Sequence, residues 1–372
     1  MGRYLNPGME SFEKSVNSEI YVDKTGLVGY TNRVMNTVQG YVCVSRPRRV
    51  GKSMAANMLT AYYSRGCDSR EIFSKFEISE SPDFEKYRNK YNTIFLNMQE
   101  FLSRSDSVEA LVDRVKKLVL RDLKREYPDV DYFDATDLVE SMQDIYETEK
   151  CPFVVIIDEW DCIFREFRQN KEAQEKYLDF LRDLLKDKAC IHLAYMTGIL
   201  PIKKYGTHSA LNMFDEFSMI NPGPLAPYVG FTEVEVEYLC HKYRMDMEEV
   251  KAWYDGYSFS MAASVYSPRS VVNSMLFGKI ENYWNQTETF EALQVYIDMN
   301  FDGLKDDIIK LLARKRVIIN ASKFQNDMTT FQSKDDVFTL LVHLGYLGYD
   351  EETSEVYIPN NEVVESFVNS IE

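Results

Sequence analysis

Residues 41–53 read Tyr-Val-Cys-Val-Ser-Arg-Pro-Arg-Arg-Val-Gly-Lys-Ser. The first five residues form a short apolar run that predicts a β-strand, and the segment after Ser53 has its apolar residues on one side, as an amphipathic helix does. A strand, a loop ending in Gly-Lys-Ser and a helix, in this order, are typical of a phosphate-binding loop. The stretch therefore predicts a nucleotide-binding α/β fold.

The end of this loop carries the groups that phosphate binding requires. Gly51 lets the backbone approach the phosphates, and Lys52 brings a positive charge to the β- and γ-phosphates. The Ser53 hydroxyl is a ligand for Mg²⁺, and the amides of the first helical turn donate to phosphate oxygens. The residues expected to contact the nucleotide are Arg46, Pro47, Arg48, Arg49, Val50, Gly51, Lys52, Ser53 and Met54.

The loop departs from the generic pattern G-x-x-x-x-G-K-[ST] at one position, where Arg46 replaces the first glycine. A bulky side chain does not easily adopt a positive φ, so we expect the loop to begin in a different conformation. Two interpretations of the loop arginines stay open. Either one of them contacts phosphate and another acts as an arginine finger across an interface, or Arg48 and Arg49 pair with acidic groups of the protein's own surface.

A second signal lies farther along the chain. Residues 153–157, Phe-Val-Val-Ile-Ile, predict a buried strand, and Asp158 and Glu159 follow it directly. In nucleotide hydrolases with such a loop, the first acid holds Mg²⁺ and the second polarises the attacking water as general base. An isolated Asp-Glu pair more often caps a strand in solvent. Because this pair shares a chain with a Gly-Lys-Ser loop, we favour the joint site, with Asp158 on the metal and Glu159 as base.

A third signal is Thr197, which follows the predicted strand over residues 191–196. A polar side chain at this position can lie beside the strand that carries the acid pair and contact the γ-phosphate or the attacking water. The alternative is a threonine that starts a turn. Under the first interpretation the catalytic residues are Lys52, Glu159 and Thr197.

The surrounding sequence predicts an α/β fold: a P-loop NTPase parallel sheet with helices on both faces, followed by a smaller, mainly helical domain. Pro and Gly concentrate in residues 221–227, which gives a nucleotide-binding domain over residues 1–225 and a helical domain over residues 226–372. Thr232 and Glu235 have the spacing of a capping box at the start of a helix. The predicted strands are residues 41–45, 93–98, 153–157, 191–196 and 217–220.

Composition limits the function classes. The chain has 372 residues, 27% of them charged, and a formal net charge of −16. This acidic balance argues against strong intrinsic nucleic-acid binding, which needs clustered Lys and Arg. No stretch approaches the ~18 apolar residues of a membrane span, and the first residues lack the apolar segment of a signal peptide, so we expect a cytoplasmic protein. The cysteines show no zinc-ligand spacing.

The chain resembles the AAA-ATPase-like family of bacterial proteins, and the resemblance extends almost to its end. The stretches that carry it are residues 46–53, 157–161 (Ile-Asp-Glu-Trp-Asp), 197–198, 230–233 (Gly-Phe-Thr-Glu), 254–257 (Tyr-Asp-Gly-Tyr) and 265–268 (Val-Tyr-Ser-Pro). Members of the family use Arg-Pro-Arg-Arg in this loop, so the resemblance implies that Arg46 is a family trait. It also implies that Lys52 and Ser53 bind nucleotide and metal, that Asp158 binds Mg²⁺ and that Glu159 activates water.

Many members carry a nuclease-like domain of the PD-(D/E)xK type at the carboxyl end. After Tyr346 this sequence has no separated acid followed by an E-x-K triplet, so we expect no cleavage of nucleic acid by this chain.

Three functions follow from these residues. The leading hypothesis is an ATPase that uses ATP and Mg²⁺ as a conformational switch or motor. The others are a nucleotide-gated interaction module with little hydrolysis, and the regulatory half of a nucleic-acid-processing system, which rests on family analogy. The lack of a guanine-reading N-K-x-D motif favours ATP, and both a homo-oligomer and a separate protein partner stay open.

Overall fold

The computed structural model describes residues 2–202, 211–259, 262–284, 301–324, 331 and 333–371. These residues form two compact units. The first consists of residues 2–44, 52–198 and 211–216, and the second of residues 45–51, 199–202 and the described residues from 217 onward. The domain boundary between residues 225 and 226 stays a prediction.

The first unit is built on one five-stranded sheet. Its strands are β1 (Tyr41–Ser45), β2 (Asn92–Asn97), β3 (Phe153–Asp158), β4 (Ile191–Gly198) and β5 (Asp215–Phe217). Their spatial order is β2-β3-β4-β1-β5, and the pairs β2–β3 and β3–β4 are parallel. The carboxyl ends of β3 and β4 therefore meet at the same edge of the sheet, which is where ligands bind in folds of this type.

The described part of this unit also contains α-helices. They are α1 (Glu10–Val16), α2 (Gly26–Val34), α3 (Lys52–Tyr63), α4 (Arg70–Phe73), α5 (Phe84–Tyr87), α6 (Met98–Leu102), α7 (Val108–Glu126), α8 (Leu138–Glu149), α9 (Cys162–Glu166) and α10 (Lys171–Leu185). Every residue of β3 is buried. Because successive side chains of a strand point to opposite faces, β3 must be covered on both. The predicted α/β class is confirmed.

One predicted strand was placed wrongly. The fifth strand was expected over residues 217–220, but β5 ends at Phe217. The Ser218 hydroxyl accepts the backbone N–H groups of Ile220 and Asn221, and Ser218 N donates to Asn221 O at 2.9 Å. Such a serine-centred turn captures the backbone groups that a strand would need, so the chain turns where the apolar pattern suggested extension.

The second unit combines helices with two small sheets. Its strands are β6 (Phe231–Thr232), β7 (Tyr257–Phe259), β8 (Ala262–Tyr266), β9 (Val317–Ile318), β10 (Gly348–Asp350) and β11 (Glu355–Tyr357), in the antiparallel orders β6-β8-β7 and β10-β11-β9. Its helices are α11 (Glu233–Tyr243), α12 (Met247–Tyr254), α13 (Pro268–Phe277), α14 (Leu304–Leu312), α15 (Lys334–Leu344) and α16 (Asn361–Ile371). The prediction of a mainly helical domain did not include these two small sheets.

Local signals located two of these helices correctly. Thr232 and Glu235 form the predicted capping box, in which each side chain accepts a backbone N–H of the other residue. The helix α13 begins at Pro268, whose missing N–H costs nothing in the first turn. Among the described residues, no helix has both the length and the apolar character needed to cross a membrane.

Candidate functional site

The predicted phosphate-binding residues lie where the loop enters α3. Gly51 has φ +95°, a left-handed conformation that L side chains rarely adopt, and a Cβ added there would meet nothing within 4 Å. The glycine is therefore required by the backbone turn and not by crowding. Lys52 then begins α3, with Ser53 exposed in the same turn and Met54 43% exposed. The first turn of α3 thus presents a hydroxyl and backbone amides to solvent.

Lys52 is a buried cation among acids. Its side chain is 5% exposed, and burial lowers its pKa from the ordinary value. The carboxylates of Glu159, Asp161 and Asp158 oppose that shift, in this order of strength. A buried ammonium remains charged only where such partners offset its desolvation. The structure therefore brings Lys52 together with both members of the predicted acid pair.

Asp158 is the last residue of β3 and is 1% exposed. Its Oδ1 accepts hydrogen bonds from the Thr197 hydroxyl and from the backbone N–H of Glu159, the latter at 3.1 Å. Its Oδ2 is buried and has no hydrogen-bond partner among the described residues. A buried carboxylate oxygen without a donor is costly, so this atom is suited to a cation that the protein itself does not supply.

Thr197 reaches Asp158 because of the strand order. The strand β4 lies between β1, which leads into the phosphate loop, and β3, which ends at Asp158. Thr197 is fully buried in β4, which ends at Gly198, two residues later than predicted. It continues the strand and does not start a turn, and its part in the site stays a prediction.

Glu159 follows with an unusual backbone. Its φ is 56°, in the left-handed region, so the chain turns sharply at the end of β3. Burial raises the pKa of its carboxyl group; Arg165 and Lys52 lower it, and Asp161 and Asp158 raise it. Glu159 Oε2 accepts a hydrogen bond from the Arg165 guanidinium. The candidate general base is therefore held by a salt bridge beside the buried lysine.

Sequence reasoning missed two members of this cluster. Asp161 is fully buried, and its Oδ2 lies 3.4 Å from Arg165 Nε. The two residues are four apart at the start of α9, the spacing at which opposite charges meet on a helix. That spacing, directly after the acid pair, was the signal that could have identified them.

The earlier part of the loop makes its contacts within the second unit. The Arg46 side chain is 1% exposed, donates to the Ser218 carbonyl, and lies with its guanidinium 5.0 Å from the centre of the Phe259 ring. Gly230 N donates to Val50 O at 3.1 Å. Pro47 is buried, Arg48 is exposed, and Arg49 has φ 69°. A phosphate contact by any of these side chains stays a prediction.

The residues present fit Mg²⁺. This ion prefers oxygen ligands and is commonly held by one or two protein groups together with water and substrate phosphates. Asp158 offers a buried oxygen without a donor, and Ser53 offers an exposed hydroxyl at the start of α3. These two oxygen ligands are of the type that Mg²⁺ prefers, and because there are only two of them, phosphate and water can complete the coordination.

A parallel α/β sheet that carries a Gly-Lys-Ser loop and an Asp-Glu pair on its carboxyl edge is the arrangement of P-loop proteins. A family model named AAA-ATPase-like, and described as a predicted AAA-ATPase, matches residues 6–207, more than half of the chain. The chain belongs to the AAA-ATPase-like family.

One similar curated protein is the uncharacterized protein in the vnfD 5′ region of Azotobacter chroococcum mcd 1. It is 25% identical over 298 residues, which are 76% of this chain and 54% of that protein. The chain therefore spans about half the length of this relative.

Among solved structures, the ORC2 protein of Aeropyrum pernix in ADPNP-ADP complexes has a TM-score of 0.39 and 13% identity, with 98% of each chain covered. Cdc6p of Pyrobaculum aerophilum has a TM-score of 0.32 and 8% identity, with 99% of this chain and 98% of that chain covered. TM-scores this low do not establish a common fold.

Proposed function

We propose that this protein binds ATP with Mg²⁺ and hydrolyses it. The observation that carries the proposal is the buried Lys52 at the start of α3, which interacts with Asp158 and Glu159 at the end of β3. A cation at a phosphate loop, a carboxylate with an oxygen that lacks a donor, and a second carboxylate beside it are the groups that phosphoryl transfer to water requires.

Each residue has a separate role in this proposal. Lys52 neutralises charge on the β- and γ-phosphates, and the amides of the first turn of α3 donate to phosphate oxygens. Asp158 and Ser53 would hold Mg²⁺, which when bound supplies positive charge to the phosphate oxygens. Thr197 orients Asp158 through their hydrogen bond. Glu159 accepts a hydrogen bond from the attacking water and takes up its proton.

Phosphate release by the wild type, Lys52→Ala and Glu159→Gln tests the proposal, with ATP binding measured in parallel by titration of a fluorescent ATP analogue. Lys52→Ala is expected to lose binding, because the phosphates lose their buried cation. Glu159→Gln is expected to bind ATP normally and to hydrolyse it on the order of 10²–10⁴-fold more slowly, the usual contribution of a general base. The wild type without Mg²⁺ should release no phosphate.

Undetectable release by the wild type with saturating ATP and Mg²⁺ would remove hydrolysis from the proposal. If the wild type still binds ATP under those conditions, the alternative of a nucleotide-gated interaction module takes its place. Limited proteolysis with ATP, ADP and a non-hydrolysable analogue separates the two. A switch driven by turnover gives different proteolytic fragments with ATP and with the analogue. Gating by binding alone gives the same fragments with both.

The proposal also covers the setting of the reaction. We expect the protein to act in the cytoplasm, because the reaction consumes ATP and needs Mg²⁺. We expect the cycle of binding and loss of the γ-phosphate to act as a switch or motor on a protein partner or on another copy of the chain. A regulatory role in a nucleic-acid-processing system is the remaining alternative.

A further inference from the structure

Arg165 pairs with acids of the candidate site but has no role in the proposed hydrolysis. It lies in α9, six residues after Glu159, and its side chain is only 10% exposed. Its guanidinium makes an ion pair with Glu159 and a second ion pair with Asp161. A nearly buried arginine that joins two carboxylates is more constrained than the exposed ion pairs of the surface.

A second carboxylate, that of Asp161, lies beside this guanidinium. Asp161 is fully buried and lies 3.4 Å from Arg165 Nε through the i,i+4 geometry of the helix start. Burial lowers the pKa of Arg165, but Asp161 and then Glu159 raise it by more, so the net shift is upward. The guanidinium therefore stays charged, and moving it away from Asp161 would remove one of the positive charges near a buried carboxylate.

Glu159 is held by only one of its two oxygens. Oε2 accepts from Arg165, whereas Oε1 makes no hydrogen bond with a described residue, and the side chain is 22% exposed. The backbone at Glu159 is left-handed, with φ 56°. The salt bridge therefore fixes the carboxylate and leaves Oε1 able to accept a hydrogen bond from water.

We infer that Arg165 is a positioning residue for Glu159: anchored by Asp161, it holds the carboxylate in the orientation from which Oε1 receives the attacking water. This inference rests on the proposed function. Misplacement of a reacting group by about 1 Å can cost on the order of 10²-fold in rate. Loss of Arg165 should therefore lower kcat by ~10–100-fold and change ATP affinity little, because Arg165 pairs with the base and its charge affects the pKa of Lys52 less than the three carboxylates do.

The test compares Arg165→Gln and Arg165→Lys with the matched control Arg168→Gln. Arg168 is exposed, lies three residues after Arg165, and donates from Nε to the Arg165 carbonyl. The measurements are kcat, KM, the affinity for a fluorescent ATP analogue, and thermal unfolding. We expect Arg165→Gln to lose ~10–100-fold in kcat with KM and affinity within ~3-fold of the wild type, Arg165→Lys to recover part of the loss, and Arg168→Gln to match the wild type.

A double variant makes the test specific to positioning. If Arg165 acts through Glu159, then Glu159→Gln with Arg165→Gln hydrolyses ATP no more slowly than Glu159→Gln alone. Equal kcat for the wild type and Arg165→Gln overturns the inference and leaves the proposed hydrolysis intact. A double variant whose kcat falls by the product of the two single effects has the same consequence, because Arg165 would then act independently of Glu159. Absence of hydrolysis in the wild type overturns both. If Arg165→Gln does not fold, Arg165→Lys in the Glu159→Gln background gives the same comparison.

Discussion

The Thr197 hydroxyl donates to Oδ1 of Asp158 across two neighbouring parallel strands, and Oδ2 of the same carboxylate has no partner among the described residues. One oxygen is thus fixed by the fold and the other is left for a ligand. A hydrogen bond to a metal-binding carboxylate orients it, and its loss typically lowers metal affinity by about 10–100-fold.

Thr197→Val should therefore raise the Mg²⁺ concentration for half-maximal ATP hydrolysis by at least ~10-fold, since valine keeps the shape of threonine and removes the donor. A Mg²⁺ titration of phosphate release at saturating ATP measures this. Thr197→Ser retains the hydroxyl and is the control. An unchanged Mg²⁺ midpoint in a folded Thr197→Val protein would show that this hydrogen bond does not set metal affinity.

Arg46 is expected to act on stability. Its guanidinium donates to the Ser218 carbonyl and lies over the Phe259 ring, and its side chain is almost completely buried. Arg46→Ala should lower the free energy of unfolding by about 2–3 kcal/mol, from one charge-assisted hydrogen bond and one cation–π contact. Arg48→Ala, at the exposed position in the same loop, should change it by less than about 0.5 kcal/mol.

Urea denaturation of both variants, together with ATP-analogue titration, separates this role from phosphate binding. If Arg46 is chiefly a phosphate ligand, Arg46→Ala will keep wild-type stability and lose affinity for the analogue. That result would contradict the structural role.

Glu362 gives the second unit a pH-dependent stability. It is fully buried and accepts hydrogen bonds from the backbone of Tyr283 and Trp284 and from the Ser270 hydroxyl. Burial raises its pKa from 4.5 to about 7, although these three hydrogen bonds lower it. Between those two values the native state binds a proton that the unfolded state has lost. The contribution to stability is therefore complete below pH ~4.5 and is lost as pH rises to ~7, a change of about 3 kcal/mol.

Glu362→Gln should remove this dependence, because glutamine is neutral at every pH and its carbonyl can still accept the two backbone N–H groups. The measurement is the difference in unfolding free energy between wild type and variant at several pH values from 4.5 to 8. The unfolding free energy of the variant should increase relative to that of the wild type as pH rises. Glu365→Gln, an exposed change in the same helix, is the control and should reduce the pH dependence only slightly, because Glu365 contributes least to the pKa of Glu362. A difference between wild type and Glu362→Gln that stays flat with pH would refute the buried titration.

Gly198 is required by close packing at the end of β4. A Cβ added there would lie 2.7 Å from Trp160 Nε1 and 2.8 Å from Asp161 Oδ1, and both side chains are buried. Gly198→Ala should therefore lower the free energy of unfolding by about 1–3 kcal/mol, the usual cost of overpacking. The contrasting change is Gly29→Ala in α2, where the nearest atom outside the helix's own backbone, Cδ1 of Ile78, would be 4.0 Å from the new Cβ.

Gly29→Ala should be neutral or stabilising by up to about 1 kcal/mol, because alanine is the better helix former. Thermal unfolding of both variants is the measurement. Equal midpoints for Gly198→Ala and the wild type would mean that Trp160 and Asp161 shift without cost.

The parts of the site that could be predicted are those with a local signal. Lys52 and Ser53 belong to a contiguous loop between a strand and a helix, and Asp158 and Glu159 directly follow an apolar run. The family match over residues 6–207 includes both stretches. Arg165 was not predicted as a site residue because its importance depends on two ion pairs. In a sequence with many charged residues, many arginines lie at helical spacing from an acid.

The sequence by itself determined the class of protein, a nucleotide-binding P-loop protein, because glycine, lysine, serine and paired acids have few alternatives in a strand–loop–helix context. It also determined the α/β class, because alternating strand and helix patterns depend on local periodicity. Only the tertiary structure decided that β4 lies between β1 and β3, so that Thr197 meets Asp158. It likewise decided that the Arg46 guanidinium is buried against Ser218 and Phe259. Strand order and side-chain burial arise from contacts between distant residues, which no local pattern encodes.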